Sequence, residues 1–351
     1  MKYNSFLKLI LFGFICAFIA TSCVKEGPIG PAGTDGKDGV DGTNGRDGAD
    51  GQVTCLTCHS GTNMEAKQAE FAMSIHSSGA IAVDYAGGRA SCARCHSHEG
   101  FTQFSVFNSV LGDITNPTAW KCNTCHGLHK SFEGKDYALR MINPVVPVAP
   151  ANGVMDLKGN SNLCGTCHQS RSAEPNTAAP GATFNQSVRN YPHYSAQGNI
   201  LYGNGLAEIK GSVTYPTKAT SDHLTMNGGS CVGCHMGSFS ARQGGHSFIP
   251  RVKACNDCHG GTPITNYNYG GVQTDIKAKL DQLNKKLLEL GLITETVVDG
   301  VVEYAPKPGT VPMVHAQAVY NYFGVKYDRS YGVHNPKYVK AILQNTIEAL
   351  N

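Results

Sequence analysis

Twelve of the chain's 14 cysteines fall into six copies of one short pattern, Cys-x-x-Cys-His. The copies are Cys55–Cys58–His59, Cys92–Cys95–His96, Cys122–Cys125–His126, Cys164–Cys167–His168, Cys231–Cys234–His235 and Cys255–Cys258–His259. Two intervening residues give one tight turn, which sets both thiols along one edge. The histidine that follows can swing beneath whatever the thiols hold. That is the geometry for attaching a porphyrin: the thiols reach two vinyl groups, and the imidazole binds the iron from one face. Half of a zinc site and a redox-active dithiol are the rival readings of Cys-x-x-Cys. Neither gives a reason for a histidine after every second cysteine, and here it is present in all six copies. The other two cysteines, Cys16 and Cys23, lie in the N-terminal leader, so none remains for a disulfide framework. The expectation is six covalent c-type haems.

Each iron then has a sixth position to fill. Of the 14 histidines, the motifs use His59, His96, His126, His168, His235 and His259. Eight remain: His76, His98, His129, His193, His223, His246, His315 and His334. That supply favours bis-histidine ligation over methionine such as Met73 or Met236, which would raise the reduction potential. His76 is expected near the end of a helix capped by Asn63, favoured by Glu65 and stopped by Gly79. His129 lies three residues after His126, on the same side of a turn, so the two cannot close opposite faces of one iron. As a ligand it would serve a neighbouring haem. His98, two residues after His96, is expected to be exposed. His193 is held in Tyr191-Pro192-His193-Tyr194. His334 precedes Asn335-Pro336, a cap and a first-turn proline, which puts it at the positive end of a helix dipole. That field favours the neutral, metal-binding imidazole.

The elements that position these groups must be economical. Successive first cysteines are 37, 30, 42, 67 and 24 residues apart. Segments of that length cannot each build a hydrophobic core. The fold expected is mainly α with much irregular coil, a haem-packed core and C-terminal helices. The stretch Asn143 to Pro150 reads as surface loop. In the tail, Asp275 to Leu290 reads as an amphipathic helix with Ile276, Leu280, Leu283, Leu287 and Leu290 on one stripe, ended by Gly291. A second helix is expected from Pro312, carrying His315, Ala318, Val319 and Tyr322. The last turns Val339, Ile342, Leu343, Ile347 and Leu350 inward.

The polypeptide carries a net charge of +3. Six haems would bring about twelve propionate charges, which leaves the loaded protein acidic and argues against a nucleic-acid partner. Lys2 and Lys8 precede an apolar run of 12 residues, Leu9 to Ala20. A membrane span needs about 20, so this reads as a signal segment. Ala20-Thr21-Ser22-Cys23 resembles a bacterial lipobox, which would make Cys23 the lipidated first residue of the mature chain. The next residue is Val24 and not Asp, so the expected destination is the outer membrane, on its cell-surface or periplasmic face. Glycine then falls at every third position from Gly27 to Gly51, resembling collagen Gly-X-Y. Two readings stay open: an extended, solvated tether, or a short trimerising stalk. The organisation expected is 1–22 signal, 23–52 lipid-anchored spacer, 53–265 hexahaem domain and 266–351 helical segment packed on it.

The arrangement His223…CVGCHM…GGHSF…CNDCH resembles segments of multihaem cytochromes c, whose two non-motif histidines are distal ligands. The resemblance carries that role to His223 and His246. The phrase PHYSAQGNILYGNG around His193 is similar to theirs. YNYFGVKYDRSYGVHNPKYVKAIL resembles the C-terminal helices of the group that includes cytochrome c nitrite reductase, which implies ligation by His334. The distal set expected is therefore His76, His129, His193, His223, His246 and His334. The chain departs from those reductases in one respect: no motif ends in lysine, so their open, substrate-binding haem is not implied. An electron carrier is the function expected, exchanging electrons with redox partner proteins or an extracellular acceptor. The alternatives are an oxidoreductase with one open haem and a trimer- or filament-forming surface cytochrome.

Overall fold

Short helices joined by turns carry the motifs, and three longer helices follow them. The computed structural model describes residues 61–127, 139–149, 153–176, 179, 181–226, 229–261 and 263–351. The leader, Cys23, the glycine-repeat spacer, the first motif (Cys55, Cys58 and His59) and His129 lie outside the described residues. Among the described residues no helix is long and apolar enough to cross a membrane.

The motif-bearing segment runs α1 (Gly61–Ala72), α2 (Ile75–Ser78), α3 (Ala90–His96), α4 (His98–Phe107), α5 (Cys122–Cys125), α6 (Ser161–Gly165), strand β1 (Thr183–Gln186), α7 (Gln197–Tyr202), α8 (Asp222–Thr225), α9 (Ser230–His235) and α10 (Val252–Asn256). The tail runs α11 (Val272–Glu289), strands β2 (Ile293–Val298), β3 (Val301–Pro306) and β4 (Gly309–Pro312), α12 (Met313–Asp328) and α13 (Pro336–Ala349).

Local chemistry accounts for most boundaries. Ser74 caps α2 by accepting from the Ser77 amide, and Gly79 closes it in the left-handed region. The helix expected to run through His76 is thus two helices. Asn63 lies inside the first of them and does not cap it. Ser97 caps α4 by accepting from the Gly100 amide. Asn335 caps α13, accepting from Tyr338, with Pro336 at the first helical position. Pro312 does not open α12: it ends β4 and sits at the cap. Asp299 (φ 50°) and Gly300 (φ 76°) turn β2 into β3, pairing Val298 with Val301. Positive φ at both central residues is the mirror-image turn that suits a hairpin's twist.

The larger apolar core joins the two parts of the chain. Ile276, Leu280, Leu283 and Leu287 of α11 pack with Phe323 of α12, Val339 and Ile342 of α13, and Ile200 and Leu206 from the motif-bearing segment. Leu290, expected on that stripe, is 45% exposed, because α11 ends at Glu289. Strand β1 pairs antiparallel with β4, Thr183 opposite Pro312. A smaller cluster, Leu157, Leu201 and Leu224, lies among the motifs. The stretch expected as surface loop is partly inside: Val145 and Ala149 are buried while Val146 is exposed.

Candidate functional site

Four motif histidines each face one of the histidines outside the motifs. His168 and His76 have ring centres 6.1 Å apart. His96 and His193 are at 5.9 Å, His126 and His246 at 6.3 Å, and His259 and His223 at 6.1 Å. These partners are 36 to 120 positions away in sequence, so the fold and not the local turn sets the spacing. A metal ion sits about 2 Å from an imidazole nitrogen, which puts two imidazoles on opposite faces of one ion roughly 6 Å apart, centre to centre. The four separations match that figure. Among the described residues, no three His, Cys, Asp or Glu side chains converge as a bare metal site would require.

The ring nitrogens are set for this. The His235 Nδ1–H donates to the Phe248 carbonyl at 2.7 Å, and the His223 Nδ1–H to the Val333 carbonyl at 2.5 Å. A carbonyl only accepts, so Nε2 keeps its lone pair. His168 Nδ1 meets Gln197 Oε1 at 3.2 Å. Burial pushes His76 down to about 4, helped by the neighbouring His168, and His193 down to about 4, helped by His96. It also lowers His96, His168, His235 and His246. All six are thereby held in the neutral form that binds a metal.

His334 differs. Burial lowers its pKa, but the Asp328 carboxylate, 2.6 Å from Nδ1, overrides this and raises it. The helix-dipole expectation of a ring held neutral is therefore corrected: the carboxylate is the stronger influence. His235 and His334 lie within electrostatic reach of one another, though no ring contact joins them among the described residues. His98, expected to be exposed, is half-buried at the start of α4, with Nδ1 on Thr124 Oγ1 at 2.7 Å. No described motif histidine pairs with it by ring contact.

The pair His96/His193 borders a small cavity lined also by Cys92, Cys95, Arg94 and Arg171. Arg94 lies over the Phe104 ring at 3.8 Å, and its buried Nε has no hydrogen-bond partner among the described residues. A buried guanidinium nitrogen left open beside such a cavity fits a propionate. The residues present therefore fit a haem.

The motifs also meet one another. The thiols of Cys95 and Cys167 face each other, and each reaches the carbonyl of the residue preceding the other: Cys95 Sγ to the Thr166 carbonyl at 3.8 Å, Cys167 Sγ to the Arg94 carbonyl at 3.7 Å. Cys164 and Cys231 are likewise adjacent, and Cys234 lies near Cys255 and Cys258. The second, third and fifth motifs thus each lie close to the fourth, and the sixth lies close to the fifth.

No protein-family model matches the chain. Two curated sequences named C-type polyheme cytochrome OmcB, from two strains of Geobacter sulfurreducens, are each 25% identical to it over 260 residues. Those matches take in 59% of this chain and only 34% of the relatives' own length. The solved structure of Outer Cell Wall Cytochrome OcwA superposes with a TM-score of 0.50 at 17% identity, over 81% of this chain and 50% of that one. These similarities support a multihaem c-type cytochrome.

Several residues of this site had no sequence signal. Trp120 and Phe248 wall the His76 ring at 5.4 and 4.9 Å. Buried Glu70 accepts from the His246 amide at 2.9 Å and from Lys67 at 2.7 Å. Gly100 is a further one. A Cβ there would come within 2.4 Å of the Ala93 carbonyl carbon and oxygen, between Cys92 and Arg94. Gly100→Ala must push α4 off the motif helix α3. A loss toward the upper end of the about 1–3 kcal/mol typical of overpacking is expected, read as a lower denaturation midpoint of the loaded protein.

Proposed function

We propose that the chain is an exported electron-transfer protein in which six c-type haems are each closed on both faces by histidine. The observation that carries this is the set of four imidazole pairs at 5.9–6.3 Å. On this reading His76 closes the haem of Cys164, Cys167 and His168. His193 closes that of Cys92, Cys95 and His96, and His246 that of Cys122, Cys125 and His126. His223 closes that of Cys255, Cys258 and His259. His334 remains for Cys231, Cys234 and His235: its electrostatic reach takes in His235, Cys231 and His168, and His168 already faces His76. His59 and His129, with Cys55 and Cys58, lie outside the described residues and remain as the unassigned ligands and thiols of the proposed set.

A haem so held supplies a one-electron iron couple whose potential follows its axial ligands. What the chain supplies is closure and proximity. Buried neutral imidazoles leave no ligand position for a substrate, and thiols of several motifs lie close to one another, which would bring their cofactors near one another. The role proposed is relay at the outer membrane or cell surface, between redox partner proteins or to an extracellular acceptor. The lipidated Cys23 would serve as anchor and the glycine-repeat segment as tether.

Intact-protein mass spectrometry of material from a maturation-competent host, with carbon monoxide titration of the reduced protein, tests this. The expected result is a mass increment of about six haems and no bound carbon monoxide. Uptake of the gas by the native protein would replace the relay with a catalyst that has an open haem.

A further inference from the structure

His334 donates its Nδ1–H to Asp328 Oδ1 at 2.6 Å. The other described Nδ1 partners are neutral: backbone carbonyls for His223 and His235, the Gln197 side-chain oxygen for His168 and the Thr124 hydroxyl for His98. Glu70 comes no closer to His246 Nδ1 than 3.5 Å, and that nitrogen has no hydrogen bond among the described residues. Asp328 is built for one task. Its side chain is 0% exposed, its second oxygen accepts from the Ser330 hydroxyl, and Ser330 Oγ in turn accepts the His334 amide at 3.2 Å. The loop that closes this network runs through three residues with positive φ: Arg329 (61°), Tyr331 (50°) and Gly332 (93°). Gly332 is required there, since a Cβ would meet Ile276 Cγ1 at 2.8 Å.

From this geometry we infer that Asp328 is a positioning residue for His334, and that it makes the fifth motif's haem the most reducing of those whose ligands are described. The inference rests on the reading above that His334 closes that haem. A carboxylate hydrogen-bonded to the far nitrogen of a metal-bound imidazole fixes its tautomer and raises its basicity. Electron density reaches the iron and stabilises the ferric state, which lowers the potential. The buried negative charge acts in the same direction, with little water to screen it. The fifth motif stands between the fourth, through Cys164 and Cys231, and the sixth, through Cys234 and Cys255. A low potential at that point leaves added electrons on either side of it.

Spectroelectrochemical titration of the full haem-loaded chain tests the assignment with two variants of opposite effect. Asp328→Asn keeps the shape and an acceptor oxygen but removes the charge. It is expected to move about one-sixth of the titration amplitude to higher potential. Ser330→Ala removes the competing donor, which leaves the carboxylate more basic toward His334, and is expected to move the same fraction lower. A network that only shapes the loop would not give shifts of opposite sign. Curves superimposable on the parent, or two shifts of the same sign, overturn the inference. If Asp328→Asn does not accumulate, a downward shift in Ser330→Ala supports the assignment and an unchanged curve overturns it. His334→Ala tests the underlying reading separately. Carbon monoxide bound at about one iron per chain supports His334 as a ligand, and none bound removes that reading whatever the titration curves show.

Discussion

On the proposed ligation, replacing His76 with alanine is expected to raise carbon monoxide binding from none to about one per chain, with the haem content unchanged. His76 sits on the short helix α2, fixed at both ends by the Ser74 cap and by Gly79 at φ 70°. Its ring stands 6.1 Å from His168 at a near-perpendicular 89°. Trp120 and Phe248 wall it in, so alanine leaves a hole the shape of an imidazole with apolar sides. In the proposed site the porphyrin is attached through Cys164 and Cys167, which the substitution does not touch. The variant should show high-spin iron by EPR, and added imidazole should restore the low-spin spectrum by filling the hole. His98→Ala is the matched control. His98 is a half-buried histidine bonded to Thr124 with no facing motif histidine among the described residues, so its loss should leave gas binding at zero. A His76→Ala protein that stays low-spin and binds no carbon monoxide would remove His76 from the ligand set.

The contrast between His76 and His98 shows what the sequence could reveal. Both are non-motif histidines close to a helix end, and His98 is nearer in sequence to a motif. Spacing within a turn rules out some pairings, such as His126 with His129, because side chains three apart share a side. It does not choose among residues on other elements. His168 meets His76 only because α2 and α6 are brought together by a fold whose contacts run between distant segments. The helices of the tail were legible, because a 3.6-residue apolar period writes α11 and α13 directly into the chain. The Asp299-Gly300 turn was legible too, as an Asp-Gly pair between valine-rich runs. The hairpin it makes went unread beside the stronger helical pattern.

Asp328 was not legible. An aspartate at the end of a helical run reads as a solvated residue, and only the fold shows it 0% exposed beneath His334. Magnitudes explain why its presence reverses the reading of His334. A helix dipole is worth about 0.3–1 kcal/mol near an exposed terminus. A hydrogen bond to a charged group contributes about 1.5–3 kcal/mol. Position relative to α13 was read correctly, but the larger influence came from a side chain six residues upstream, across a loop.

The largest effect on stability is expected from Phe323→Ala, a loss of about 3–5 kcal/mol. Phe323 is 0% exposed at the centre of the core shared by α11, α12 and α13. Its ring lies 6.0 Å from Tyr191, 5.0 Å from Tyr322 and 5.5 Å from Tyr327. Those neighbours make the substitution informative. Tyr191 begins the Pro192-His193 segment, and Tyr327 precedes Asp328, so one ring supports the chain leading to two of the proposed distal histidines. Denaturant unfolding should be followed on the same samples by far-UV circular dichroism and by the Soret band, which reports axial ligation. If the tail is part of the structure that holds the histidines, both transitions move to lower denaturant together and the slope stays the same, as for a change in stability alone. A Soret transition left in place while the helical signal melts early would mean that the motif-bearing segment keeps its ligands without the tail. The shared core of Ile200, Leu206 and Phe323 argues for the joint transition, because no cavity at position 323 can form without exposing residues from both parts of the chain.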